Sequence, residues 1–171
     1  MIHKTAIIDS KANISSNVEV GPYSVIGPDV EIDDDVIIQS HVTITGLTKI
    51  GKKNIFYPMS SIGSDPQDLK YKGEKTSLII GDGNTIREHV TINTGTIQGG
   101  GITKVGNNNL FMIGAHIAHD CIIGSNIVMA NNSAIAGHAV IEDFVIIGAK
   151  CGVQQFVRIG KLAMIGGMTG V

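Results

Sequence analysis

The sequence has 171 residues, 43% hydrophobic and 16% charged, with a net charge of −2. That suits one domain with a sizeable core, and argues against a disordered chain or nucleic-acid binding through bulk charge. No stretch approaches the roughly 18 apolar residues of a membrane span, the N-terminus "MIHKTAIIDS" lacks a signal-peptide core, and two cysteines give no disulfide framework, so the sequence reads as a cytoplasmic protein.

The 22 glycines, four prolines and lack of tryptophan direct attention to repeats. From Ile2 an apolar residue returns at every sixth position, through Ile8, Ile14 and Val20 as far as Ile62. The beat skips "GSDPQDLKYKGEKTSLI", resumes in phase at Ile80, Ile86 and Ile92, and is then shifted by "NTGTIQGGGITK". From Val105 to Val171 it runs without a polar residue. Four residues after each beat the side chain is mostly small or β-branched, as at Ala6, Val18, Val42 and Ala139. One residue after the beat glycine is frequent, as at Gly21, Gly81 and Gly106. These glycines, with Asn54, Asn84 and Asn109, are expected to serve the positive φ of tight corners.

A helix repeats at about 3.6 residues and an amphipathic strand at about 2. A period of six, with one large and one small inward residue, fits a short strand followed by a corner. Three hexads close a triangular coil of 18 residues, and coils stack by strand pairing at roughly 4.8 Å. The expected fold is all-β: a parallel β-helix of about eight coils over residues 1–171. Loop insertions are expected at about 63–79 and 93–104. Periodicity does not fix the handedness, since ordinary crossover rules favour right-handed turns. Because the beat ends at Val171 without a cap or closing helix, the sequence reads as a shortened chain or an unusually short gene product, unless a partner covers its end.

The chemistry gathers in "MIGAHIAHDCIIG", residues 112–124. Eighteen residues after His119 comes Gly137, and eighteen further comes Gln155, so these three are expected to stack in one column. Asp120 is followed at the same interval by His138 in the adjacent column. Cys121 and Cys151 fall in the small inward slot and read as buried hydrophobes rather than nucleophiles. A metal site needs three or four ligands, of which His116, His119 and His138 could supply three, but Asp120 serves equally well to orient a histidine and there is no further Cys/His cluster, so no metal is expected. One imidazole acting as a general base needs less: a carboxylate to fix its tautomer and an amide, as at Gly137, to receive an oxyanion. The first insertion offers Gln67, Asp68, Lys70 and Lys72, groups suited to hydroxyls and phosphates. The second, "TIQGGGITK", lacks the strand-to-helix setting of a phosphate loop and reads as a flexible corner.

Five segments, "SIGSDPQDLKYKGE", "TIREHVTINTGTIQGGG-TKVG", "HIAHDCIIG", "ANN--IAGH" and "QQF", stand in the order found in the UDP-N-acetylglucosamine O-acyltransferase family of lipid A biosynthesis. The sequence resembles that family over essentially its whole length. The resemblance implies a left-handed β-helix, a homotrimer with active sites between subunits, and no cofactor. It also implies transfer of an R-3-hydroxyacyl chain from acyl carrier protein to the 3-hydroxyl of UDP-N-acetylglucosamine, the first step of lipid A biosynthesis. On this sequence His119 matches the general base, Asp120 its support and Gly137 the oxyanion amide. Asp68 and Lys70 match nucleotide-contacting positions, with Gln67 beside them. His116, His138 and Gln155 match further substrate contacts, Met112 lies near the groove, and Gly167 falls where acyl length is set. Asn93 and Gln154 stand where better-known members carry histidine, and the family's C-terminal helical domain is missing. Three alternatives to this reading stay open: N-acyl transfer to an amino sugar, a non-catalytic solenoid, and zinc chemistry.

Overall fold

The computed structural model describes residues 1–171. Its strands, mostly two residues long, form three parallel sheets of eight strands in which each strand pairs with the third before and the third after it. The result is a left-handed parallel β-helix, triangular in section.

Register follows the hexad. Thr43 pairs with Ser61, and His116 with Ala134 and then Gly152, each step 18 residues. Two coils are longer. Ser61 pairs with Thr91, 30 residues on, and Thr91 with His116, 25 on. The excesses over 18 are 12 and 7. Twelve is two hexads, so the beat resumes in phase after the first insertion; seven is not a multiple of six, which accounts for the shift after the second. The extra residues lie between the strands Ser61–Ser64 and Ser77–Ile80 and between Thr91–Asn93 and Ile102–Val105.

The beat residues form the core. Ile44, Ile62, Ile92, Ile117 and Ile135 are fully buried, and Phe56, Ile86 and Phe111, also fully buried, stack in adjacent coils. Each coil buries its aliphatic row only against its neighbours, so stability is propagated from coil to coil. The slot four residues after the beat is equally buried at Val18, Val42 and Ala139.

The structure corrects the corner expectation. Positive φ falls on corner residues such as Tyr23, His41, Asp120, His138 and Phe156, and among the glycines after the beat on Gly63 alone. Most of the others are needed for close packing between coils: a Cβ on Gly21 would lie 2.7 Å from the carbonyl carbon of Gln39, and one on Gly81 2.8 Å from the carbonyl oxygen of Gly106. Asn54, Asn84 and Asn109 occupy the inward slot as a buried ladder. Asn54 Oδ1 accepts from the backbone and side-chain N–H of Asn84, Asn84 Oδ1 accepts from Asn109 N, and Asn109 Oδ1 accepts from Ile127 N. Their side-chain amides donate to the carbonyls of Gly51, Gly81, Gly106 and Gly124, which removes most of the cost of burying them.

Candidate active site

The strand His116–Ile117 turns Ile117 into the core and His116 outward. The chain then rounds a corner at His119 and Asp120, where Asp120 has φ 60°. Aspartate tolerates this left-handed conformation better than most residues, and here the Asp120 N–H donates to Thr103 Oγ1 at 2.8 Å.

The Asp120 carboxylate is wholly buried. Its Oδ1 accepts from Thr96 N at 2.7 Å, and its Oδ2 accepts from Thr96 Oγ1 at 2.6 Å. His119 Nδ1 lies 2.8 Å from the same Oδ2. With Nδ1 donating to the carboxylate, Nε2 carries the lone pair. Burial without these partners would be costly for an anion; with them the charge is held by three short, charge-assisted bonds.

Next along the column, His138 Nδ1 is 3.8 Å from Asp120 Oδ2. The His138 ring meets His119 edge to face at 5.0 Å and stacks flat on Phe156 at 4.5 Å. Gly137 packs under His119, where a Cβ would fall 2.5 Å from Cε1 and 2.7 Å from Nε2. The Gly137 N–H donates to no protein acceptor. An open groove of about 350 Å³ runs over these atoms, bordered by Gln67, His116, His119, Gly137 and Gln155 and floored by small residues such as Ala118, Ala134 and Gly152.

The structure therefore brings together Gln67, His116, His119, Asp120, Gly137, His138 and Gln155. Asp68 and Lys70 sit in the first insertion, where Asp68 Oδ1 accepts from Lys70 N at 2.8 Å, and neither borders the groove. Met112 and Gly167 lie at the other corner of the same sheet face, away from His119. Asn93 donates from Nδ2 to the carbonyls of Ser64 and Asp65, while its Oδ1 is buried without a partner.

His116 Nδ1 is 2.7 Å from Thr91 Oγ1, and burial, helped by neighbouring His119, holds its imidazole below the ordinary histidine range. Cys121 is inert: burial pushes its thiol up to about 12, and Sγ contacts Ala136 O at 3.2 Å. Cys151 is also buried, against Gly166 O. His119, Asp120 and His138 bring ligand-type atoms within 4.8 Å of one another. However, both oxygens of Asp120 already accept protein hydrogens, which a cation would have to displace.

Sequence reasoning missed Thr96, Thr103, Gly99 and Phe156. The second insertion is not a loose corner: Thr96 caps a short 3₁₀ turn, Ile97–Gly99, and accepts from Gly99 N. A Cβ on Gly99 would collide with the Asp120 carboxylate.

The model of the bacterial transferase hexapeptide family (six repeats) matches residues 2–46. Among solved structures, UDP-N-acetylglucosamine O-acyltransferase from Moraxella catarrhalis is 49% identical with a TM-score of 0.97, covering 99% of this chain and 66% of its own. The enzyme from Francisella novicida is 44% identical with a TM-score of 0.99, covering 100% of this chain and 62% of its own. That from Bacteroides fragilis is 38% identical with a TM-score of 0.69, covering 96% of this chain and 69% of its own. The chain belongs to the UDP-N-acetylglucosamine acyltransferase family. It spans about two thirds of the length of these acyltransferases. The left-handed helix is thus a family trait, and no helix of the structure is long and apolar enough to cross a membrane.

Proposed function

We propose that the chain is an acyltransferase that moves an R-3-hydroxyacyl group from acyl carrier protein to the 3-hydroxyl of UDP-N-acetylglucosamine, in the cytoplasm, with no metal or cofactor. The observation that carries this reading is His119: its Nδ1 is tied to a buried carboxylate, and its ring lies on the groove beside an unpartnered Gly137 N–H. In the proposed reaction the sugar hydroxyl gives its proton to Nε2 as its oxygen attacks the thioester carbonyl. Gly137 N–H donates to the oxyanion. Collapse breaks the C–S bond, and the departing thiolate takes the proton from His119. The products are the sugar ester and the free carrier thiol, with no covalent enzyme intermediate. The inert Cys121 agrees with direct transfer.

His116, His138 and Gln155 are placed to contact substrate, and Gln67, Asp68 and Lys70 to hold the sugar nucleotide. A homotrimer would account for the distance of Met112 and Gly167 from His119, since a neighbouring subunit could supply them to the acyl end of the groove. Outward aliphatic side chains on one sheet favour such an assembly: Ile37 stands beside Ile55, and beyond Thr85 come Leu110, Val128 and Ile146 in successive coils. Ile37 and Ile146 are exposed in the single chain and Ile55, Leu110 and Val128 half-buried, and a trimer would cover them. At the acyl end, Gly167 leaves room for a longer chain than a bulky residue would.

The test is turnover by the 171-residue chain with 3-hydroxyacyl carrier protein thioesters of graded length, offered either UDP-N-acetylglucosamine or its 3-amino analogue. O-acyl product from the hydroxyl acceptor is expected. Product from the amine alone would change the acceptor, and no binding or product with either would contradict the reading.

A further inference from the structure

We infer that Thr96 is a positioning residue for the base, and that the second insertion is a clamp that fixes the Asp120 carboxylate and, through it, the tautomer and aim of His119. This rests on the acyltransfer reading above for its functional meaning, but its geometry stands alone. Thr96 grips the carboxylate with one donor on each oxygen, N–H to Oδ1 and O–H to Oδ2, 24 residues away in sequence. A carboxylate held at both oxygens is restrained from rotating about its Cβ–Cγ bond. That matters because two imidazoles compete for Oδ2: His119 Nδ1 at 2.8 Å and His138 Nδ1 at 3.8 Å. Thr96 holds the carboxylate in the orientation that favours His119.

The rest of the loop serves the same grip. Gly99 N donates to Thr96 Oγ1 at 3.2 Å, which turns the hydroxyl proton toward Asp120, and the bare Cα of Gly99 lets the loop close over the carboxylate. Thr103, at the far end of the loop, fixes the Asp120 backbone. The clamp also carries the root of the first insertion: Thr94 N donates to Ser64 O at 3.0 Å, and Thr94 Oγ1 lies 3.1 Å from Thr76 Oγ1. The loop bearing Gln67 is therefore seated on the segment that holds the base's partner.

Thr96→Val keeps the branched shape and removes the hydroxyl; Thr96→Ser keeps the hydroxyl. Removing an outer partner of this kind is expected to lower kcat about 10- to 100-fold, with KM for both substrates held within about twofold. Thr96→Ser should restore most of the rate. The direct readout is the imidazole ¹⁵N spectrum of the intact chain at pH 8. Wild-type His119 should show one neutral tautomer with the proton on Nδ1, and Thr96→Val a mixture of both. Should Thr96→Val fail to fold, Gly99→Ala, which displaces the carboxylate without deleting a donor, should give the same mixture. An unchanged His119 tautomer in the folded variants overturns the clamp, whatever their rates. A wild-type chain without turnover would instead sink the acyltransfer reading, and the spectra would still decide the role of Thr96.

Discussion

The coils before Ile62 and those from Thr91 to Gln155 share one backbone, yet the candidate site lies in the second set. In the first, the corners are bare two-residue turns and the outward positions are solvated, as at Asp35 and Lys53. In the second, similar corners hold His119, Asp120 and His138, and two insertions fold over them. The core does not distinguish the regions, since Ile44 and Ile135 are equally buried. The candidate site lies at the corners, where extra residues leave the ladder of strands intact.

The largest break in the comparison should come from glycine. Gly137→Ala would push its Cβ into the His119 ring, whereas Gly27→Ala would meet Thr45 Cα at 3.4 Å, an ordinary contact. Turnover by Gly137→Ala should fall by at least about 100-fold, the scale of losing a well-placed base. Gly27→Ala should stay near wild type, and equal loss in both would mean that the site is no more constrained than the bare coils.

Next come the core residues, where the regions should agree. Ile44→Ala and Ile135→Ala should each lose about 2–5 kcal/mol in denaturant titration, because each leaves a cavity in the same ladder. A much smaller loss at Ile135 would show that the site coils are packed differently.

The smallest effect is a pH dependence peculiar to the site coils. Burial holds the His116 imidazole below its ordinary 6.5, so the unfolded chain binds that proton more readily than the folded one. Stability from this group is therefore full above 6.5 and declines as pH falls through that value. The stability difference between wild type and His116→Gln should shift against wild type between pH 8 and pH 5.5; a pH-independent difference would contradict the burial.

The repeat was legible because a polar residue at an inward slot needs buried partners, so the six-residue beat survives almost unbroken. Once the beat is known, stacking is addition, and His119, Gly137 and Gln155 follow. Addition fails across the insertions. Eighteen residues before Asp120 stands Ile102, whereas its partner Thr96 is 24 away, in the coil lengthened by seven. No periodic reading reaches that pair. The asparagine ladder was misread for another reason: asparagine suits a corner, but here its amide replaces backbone partners inside the prism, a role visible only from its slot. Met112 and Gly167 carry no spacing signal that ties them to His119, and within one chain they lie apart from it.

The central claim is that His119 removes the acceptor proton directly. The measurement that tests it is kcat of His119→Ala against wild type, with secondary structure and assembly size checked in parallel. A fall of about 10² to 10⁴ in an intact, folded variant is predicted. Undiminished turnover in that variant would contradict the account.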